Sequence, residues 1–224
     1  MKNLLSNIKL FVPESIYIKD PESSDLGKRI VSNSILLIDE IGFESFTFKK
    51  LGVKIGSNES SIYRYFESKH KLLVYLTSWF WAWKEYQLVF ETANIDDCFN
   101  KLEKAVKVIT RTIVEDSTFN HINEVILNRI VIHENSKSFL TKDVDEENKQ
   151  GHFLIYKRIV NRLSEMIVEV NPNYPFSLSL ASTILEGALH QHFVKDHFKS
   201  ITNCDADHSP TEFFTDLISR LLKV

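Results

Sequence analysis

Cysteine is scarce in this 224-residue chain, which contains two cysteines and no Cys-x-x-Cys spacing. Cys98 and Cys204 are isolated, so neither a structural disulfide nor a zinc site is expected, and reduced thiols are the default. Apolar runs as long as the roughly 18 residues of a membrane-spanning helix are missing as well. The first 13 residues are interrupted by Ser, Asn and Lys, unlike a signal peptide. We therefore expect a cytoplasmic protein with no membrane partner.

Proline and glycine are also rare, with five and six residues in the whole chain. Such a low content of helix breakers favours long, uninterrupted helices, and we expect an all-α fold. The hydrophobic content of 43% and the charged content of 25% are ordinary for a globular protein. The length is sufficient for one large domain or two small ones.

Catalytic signatures are absent: no Gly-x-Ser-x-Gly, P-loop or dinucleotide fingerprint occurs. Glu186 and His190 share a helix face, but neither His-Glu-x-x-His nor paired Glu-x-x-His motifs accompany them. Core or interface histidines are the simpler interpretation. We expect no enzyme activity, no catalytic residue, no metal and no cofactor.

The most informative stretch, residues 43–73, predicts two short helices joined by a tight turn, with a third helix directly behind them. Thr47 is placed to cap the first helix, which runs to about Ile55 and turns one face inward through Phe48, Leu51 and Ile55. Gly56 and Ser57 end that helix. The second helix has Asn58 as its predicted cap and the inward residues Ile62 and Phe66. A glycine-containing turn between two short helices favours a helix-turn-helix over a bundle hairpin.

Two of the predicted helices begin with basic residues. Lys49 and Lys50 follow the cap Thr47, and the helix capped by Ser68 begins Lys69-His70-Lys71. Helix N-termini carry partial positive charge, so cations there are unfavourable unless an anion such as phosphate is bound. Solvated surface lysines are the alternative interpretation for any one of them. From Asp25 to Lys71, eight Lys/Arg face six Asp/Glu, which leaves net −5 for the rest of a chain of net −3. A positive segment followed by a negative remainder is the distribution expected of a DNA-binding end joined to an acidic domain.

Four segments of this chain resemble the DNA-binding domain of TetR-family transcriptional regulators: Ile41-Gly42-Phe43, Phe46-Thr47, Leu51–Gly56 and Ile62-Tyr63-Arg64-Tyr65-Phe66-Glu67-Ser68-Lys69. The resemblance covers residues 27–73 and implies that Tyr63, Lys69 and Thr47 contact phosphate while residues 57–65 face the major groove. The full set of expected DNA-binding residues is Thr47, Lys49, Ser57, Asn58, Glu59, Ser60, Ser61, Tyr63, Arg64, Tyr65 and Lys69.

The sequence departs from the usual pattern of the family at four positions, one of which is Asn58 in place of the usual serine cap. Gly52 stands where alanine is common, and it is expected to loosen its helix by up to about 1 kcal/mol relative to alanine. Ser57 replaces an apolar turn residue. Glu59 stands where many relatives carry a basic residue, which weakens phosphate attraction.

The predicted organisation is an N-terminal arm (1–24), a helix-turn-helix domain (25–71) and a helical effector-binding and dimerisation domain (72–224), about nine helices in all. The arm contains three lysines and no arginine. It either enters the minor groove or, as we expect, packs on its own domain or on a partner subunit. The predicted helices cover approximately residues 25–41, 47–55, 58–66, 69–91, 95–115, 120–133, 147–170, 177–198 and 211–222, with 135–148 as a loop or a frayed turn. Ser23 or Ser24, and later Ser177, are expected as caps.

The last two long helices are apolar over more than one stripe, which means that both sides are buried. The resemblance implies that they form a two-fold homodimer, as reading a palindromic operator in double-stranded DNA requires. The central helices would then enclose a small-molecule effector. Its candidate lining residues are Trp81, Trp83, Phe119, His121, Asn128, His133, Phe153, Tyr156 and His190. Because no Lys or Arg falls at an apolar position, a neutral or lipophilic effector is expected.

The sequence therefore predicts a ligand-responsive, DNA-binding transcriptional repressor. The alternative is a helical ligand-binding or protein-interaction module with a vestigial helix-turn-helix.

Overall fold

A computed structural model describes residues 10–113 and 121–222. These residues contain ten α-helices and no strand, so the all-α prediction is confirmed. The helices are α1 Asp25–Ser45, α2 Phe48–Ile55, α3 Glu59–Tyr63, α4 Lys69–Thr92, α5 Cys98–Thr110, α6 Glu124–Phe139, α7 Val144–Lys149, α8 Leu154–Val170, α9 Ser177–His197 and α10 Pro210–Leu222. In the described parts of the chain, no helix has the length and apolar character that crossing a bilayer requires.

Residue contacts divide the chain into two compact units. Within the described residues, the first unit comprises 10–82, 113 and 121–154 and contains α1, α2, α3, the first part of α4, α6 and α7. The second comprises 83–112 and 155–222 and contains the rest of α4 with α5, α8, α9 and α10. The predicted functional boundary after residue 71 stays a prediction.

The first unit is built around α1, whose N-cap is Ser24 and whose buried face includes Ile30, Val31, Ile35 and Ile38. Gly42 interrupts the helix with φ 76°, at the position where the sequence predicts its end. The described part of the N-terminal arm, residues 10–24, contains two 3₁₀ turns and packs on its own unit through Ile16, which is 1% exposed. Residues 1–9 lie outside the described residues.

The segment 135–148 was expected to be a loop or a frayed turn, and that expectation is wrong. It contains the end of α6 and most of α7, a helix with three acidic residues in its first turn. Glu147 is 4% exposed and accepts hydrogen bonds from Lys71 Nζ and His70 Nε2, both at 3.0 Å. Burial by itself would raise the pKa of Glu147, but these hydrogen bonds outweigh it and lower the pKa. Two side chains that are distant in the sequence therefore stabilise a helix that its own polar sequence does not predict.

Other expected helix boundaries also differ from the structure. The helix expected from about residue 95 starts at Cys98, because Asp97 accepts the hydrogen bond from Asn100 N–H. The helix expected over 120–133 spans Glu124–Phe139, with Asn123 as its cap. The helix expected from 147 starts at Leu154, after Gly151 with φ 84°. The helix expected to run to about Glu115 ends at Thr110 instead. The expected start Asn120 lies outside the described residues.

In the second unit, α5 packs against α9 and α10, and α9 also packs against α10. Ser177 was expected to cap α9, but Phe176 occupies the cap position without a side-chain bond, and the Ser177 hydroxyl lies 3.0 Å from that of Ser164. Pro210 opens α10 as predicted, and Ser209 and Glu212 exchange hydrogen bonds across its first turn. This is the reciprocal arrangement of a capping box.

Candidate nucleic-acid interface

The two short helices α2 and α3 are joined and capped as the sequence predicts. Thr47 Oγ1 accepts a hydrogen bond from Lys50 N–H at 3.2 Å, and Asn58 Oδ1 accepts one from Ser61 N–H at 2.9 Å. Gly56 adopts the left-handed conformation (φ 63°) between them. Ser57 N–H donates to Gly52 O at 2.9 Å, which closes the turn.

Gly52 has a role that the sequence does not reveal. A Cβ at this position would lie 2.8 Å from Ser57 O and 3.4 Å from Glu59 N, both in the backbone. The absent side chain thus lets the turn fold closely onto α2. The expectation that Gly52 only loosens its helix was based on helix propensity alone. In the structure, the close approach of the turn backbone to Gly52 is the larger effect.

One side of the helix-turn-helix is buried and the opposite side is exposed. The predicted inward residues are all buried: Phe48, Leu51, Ile55, Ile62 and Phe66. The Tyr63 ring is 47% exposed and packs edge-on against Phe48, with the centroids 5.0 Å apart. This contact orients the tyrosine, which remains partly exposed.

The expected DNA-binding residues fall into three classes of exposure. The exposed ones are Thr47, Lys49, Asn58, Ser60, Tyr63 and Arg64. The half-buried ones are Ser57, Glu59, Ser61 and Lys69. Tyr65 is 3% exposed and lies inside the unit, where it cannot present its ring to a groove. Among the described residues, Lys49 and Arg64 have no ion-pair partner, so both charges are available to an external anion.

Tyr65 connects the interface to the N-terminal arm. Its hydroxyl lies 2.7 Å from Ser24 Oγ, and its carbonyl oxygen accepts a hydrogen bond from Ile18 N–H at 2.8 Å. The Lys19 ammonium lies 5.2 Å from the centre of the Tyr65 ring. These contacts support the end of α3 from within the unit. Sequence reasoning missed this role because the residues involved are more than 40 positions apart.

Lys69 is positioned by the end of α1. Its ammonium donates to Phe43 O and Glu44 O, each at 3.1 Å, and lies 4.8 Å from the centre of the Phe43 ring. An ammonium has three donors, so one remains beyond these two bonds. The predicted phosphate contact of Lys69 stays a prediction, and the residue also has a structural role.

The expected effector residues are distributed over both units. Trp81, His121, Asn128, His133 and Phe153 belong to the first, and Trp83, Tyr156 and His190 to the second. Both tryptophans are buried, His121 lies 2.7 Å from Glu22, and His190 is exposed on the surface of α9. Burial and then the Glu186 carboxylate raise the pKa of Tyr156. Phe119 lies outside the described residues.

The expectation that no Lys or Arg occupies an apolar position is wrong. Lys84 is 2% exposed on α4, and its ammonium donates to Val108 O at 2.9 Å. Burial, followed by repulsion from Arg111, lowers the pKa of Lys84 from 10.5 to about 7. A lysine in an amphipathic helix is normally on the exposed side. The aromatic residues next to Lys84 along α4 therefore gave no indication that its side chain is buried.

A capped helix-turn-helix with an exposed, partly basic outer side defines the class of helix-turn-helix DNA-binding proteins. Residues 30–76 match the model described as bacterial regulatory proteins, tetR family. The helix-turn-helix region therefore belongs to the tetR family, and the resemblance seen in the sequence is confirmed. The matched family consists of regulatory proteins, not enzymes.

Solved structures show the same fold at low sequence identity. AibR in complex with isovaleryl coenzyme A and operator DNA is 14% identical, with a TM-score of 0.56 over 87% of this chain and 98% of its own. The superantigen PfiT is 17% identical, with a TM-score of 0.59 over 92% and 99%. The fatty acid degradation regulator FadR from Bacillus halodurans is 14% identical, with a TM-score of 0.52 over 89% and 95%. A comparison with curated proteins finds no match.

Proposed function

We propose that this protein is a ligand-responsive transcriptional repressor that binds a palindromic operator as a homodimer. The observation that carries the proposal is the exposed side of α2 and α3, where Lys49, Ser60, Tyr63 and Arg64 lie on a domain of the tetR family. Basic and tyrosine side chains there contact phosphates, and polar side chains of α3 read base edges.

Exposed apolar residues on the last two helices support a dimer. Leu178 on α9 is 56% exposed, and Phe213 and Leu221 on α10 are 46% and 44% exposed. Phe213, Leu217 and Leu221 follow one another at four-residue spacing, so they form one stripe along α10. A second copy of the chain would cover this stripe. A two-fold dimer places two copies of α3 on half-sites about 34–36 Å apart.

The aromatic residues Trp83 and Tyr156 of the second unit support an effector with an apolar body. AibR has the same fold and was solved with both isovaleryl coenzyme A and operator DNA. We propose that this chain likewise responds to a small, largely apolar molecule. Its binding would release DNA if the molecule has higher affinity for the arrangement that does not bind the operator. The neutral or lipophilic character was expected because no Lys or Arg was seen at an apolar position, and the buried Lys84 removes that reason.

Selection from random DNA duplexes tests the proposal directly. Purified full-length protein should enrich a palindrome, and a variant with Ser60→Ala and Arg64→Ala should lose that preference while unfolding at the same temperature. Sedimentation of the complex should give two chains per operator. If no sequence is enriched, the alternative of a ligand-binding or interaction module with a vestigial helix-turn-helix is favoured.

The repressor assignment is tested with a reporter gene under the selected operator. Expression should fall when the protein is present and recover when an effector is added. A rise in expression on adding the protein alone would contradict repression.

A further inference from the structure

A cavity of about 510 Å³ lies between the N-terminal arm and α4 within the first unit. Its volume falls in the range of small-molecule sites, about 300–1,000 Å³. Aromatic side chains line one part of it: Phe11, Tyr17 and Tyr75. The Tyr17 and Tyr75 rings pack edge-on with their centroids 6.1 Å apart. Among the described residues, none of the candidate effector residues predicted from the sequence lines this cavity.

Among the described residues, the charged residues that line the cavity are all acidic. Its lining contains the carboxylates of Glu14, Asp20 and Glu22, and no lysine or arginine among the described residues lines it. Glu22 is held in place by His121 Nε2 at 2.7 Å and by the Tyr75 hydroxyl at 3.5 Å. Burial and then the Glu22 and Asp20 carboxylates raise the pKa of Tyr75 well above 10, as expected in a negative potential.

The three carboxylates do not form a metal site. In residues 10–113 and 121–222, no group of three His, Cys, Asp or Glu side chains could hold a metal ion. The negative charge is therefore spread around an aromatic cavity instead of converging on one point. Aromatic faces attract diffuse cations such as quaternary ammonium groups, and carboxylates add to that attraction.

We propose that this cavity binds a small organic cation with an apolar body. The site would be separate from an effector site in the central helices. Ile18 N–H, one residue beyond Tyr17 of the lining, donates to Tyr65 O at the end of α3. A cation bound here would thus contact the arm segment that supports the helix-turn-helix.

Calorimetric titration of the full-length protein with benzyltrimethylammonium at low salt tests the proposal without DNA, so its result is independent of the proposed repressor function. Saturable binding is expected, whereas benzyl alcohol and benzylsulfonate, which carry the same ring without a positive charge, should not bind at the same concentrations. Substituting Tyr17→Leu should weaken binding about three- to tenfold, whereas Tyr17→Phe should not.

Glu14→Gln removes an exposed carboxylate of the lining and should weaken binding about threefold or more. Its matched control is Glu146→Gln, an exposed carboxylate on α7 outside the lining, which should leave the affinity unchanged. Circular dichroism melts should be the same for both variants. The proposal is overturned if the ammonium does not bind saturably, if benzyl alcohol or benzylsulfonate binds equally well, or if Tyr17→Leu and Glu14→Gln leave binding unchanged.

Discussion

The helix-turn-helix and the second unit place their charged side chains in opposite ways. In the helix-turn-helix, Lys49 and Arg64 are exposed, and the polar contacts that shape it, such as the caps Thr47 and Asn58, reach three residues along the chain. In the second unit, consecutive charges on α4 are buried. Lys84 donates to a carbonyl 24 positions away.

Glu85, the neighbour of Lys84 on α4, is a second buried charged residue of the second unit. It is 6% exposed and accepts hydrogen bonds from Arg158 and from Arg162, the latter at 2.8 Å. Burial by itself would raise the pKa of Glu85, but the two guanidinium groups outweigh burial and lower it. Exposed charges cost the fold little and remain free for an external anion, whereas buried charges must be satisfied by the fold itself.

Two basic side chains contact carbonyl groups at the C-terminal end of α5. Lys84 binds Val108 O, and His192 Nε2 lies 2.8 Å from Thr110 O. Burial lowers the pKa of His192, as it does for Lys84. A neutral imidazole or amine still donates a hydrogen bond to a carbonyl at a helix end, so the end of α5 is satisfied without a full charge.

The largest expected effect concerns Lys84 and tests whether burying its positive charge destabilises the second unit. Between pH 7 and 10.5 the unfolded chain binds this proton and the folded chain does not, so the contribution of Lys84 to stability rises with pH across that window. From pH 7 to 9.5 the wild type should gain roughly 3 kcal/mol relative to Lys84→Met. Urea unfolding at several pH values measures the difference.

The control for Lys84 is Lys104→Met, a lysine on α5 whose side chain is 41% exposed. Its pH dependence should equal that of the wild type. A Lys84→Met variant with the same pH dependence as the wild type would show that the ammonium stays charged inside the fold, and the contrast between the two regions would fail.

The next effect concerns Gly52 and separates close packing from helix propensity. Propensity alone predicts that Gly52→Ala stabilises the protein by up to about 1 kcal/mol. Because the added Cβ would meet Ser57 O at 2.8 Å, we expect instead a loss of about 1–3 kcal/mol. Thermal or urea unfolding decides the sign. Val53→Ala, at a neighbouring position that is 80% exposed, should change stability by less than about 0.5 kcal/mol.

A smaller effect distinguishes residues that stabilise the helix-turn-helix from residues that contact DNA bases. Tyr65→Phe removes the hydroxyl that lies 2.7 Å from Ser24 Oγ and should cost about 1 kcal/mol of stability. The DNA sequence that the protein selects should not change, because the ring is buried. Ser60→Ala should do the reverse, altering the selected sequence at unchanged stability. A changed operator preference for Tyr65→Phe would show that the buried ring takes part in reading.

The smallest effect concerns Lys49 and the phosphate contacts. Lys49→Ala should weaken binding to all duplexes alike and lower the slope of log affinity against log salt by about one. The measurement is a salt titration of binding to the selected operator and to a random duplex. Lys142→Ala removes the same charge from an exposed position outside α2 and α3, and it should leave the slope unchanged. An unaltered slope for Lys49→Ala would exclude a phosphate contact there.

Predictions that depended on neighbours along the chain agree best with the structure. Thr47, Asn58 and Ser24 cap their helices as expected, and Gly56 ends α2 in the left-handed conformation. Side chains and backbone within three or four residues decide caps and tight turns, so the residues that determine them are adjacent in the sequence.

Predictions failed where partners distant in the sequence determine the outcome. The polar segment containing α7 is helical because Lys71 and His70 bind Glu147 from more than 70 positions away. Tyr65 was expected to face DNA, yet the arm covers it through Ile18 and Ser24. Hydrophobic periodicity depends only on the identity of each side chain. It does not show which distant residue will hydrogen-bond to a polar side chain and so permit its burial.

The amino-acid sequence was sufficient to predict the all-α class, the helix-turn-helix with its caps, and the family of that region. Only the tertiary structure showed Lys84 inside the second unit, Gly52 as a point of close approach, and an acidic aromatic cavity beneath the arm. The physical reason is the range of the interactions. Helix starts and turns depend on bonds a few residues long, whereas burial, pKa shifts and cavities depend on which distant segments meet.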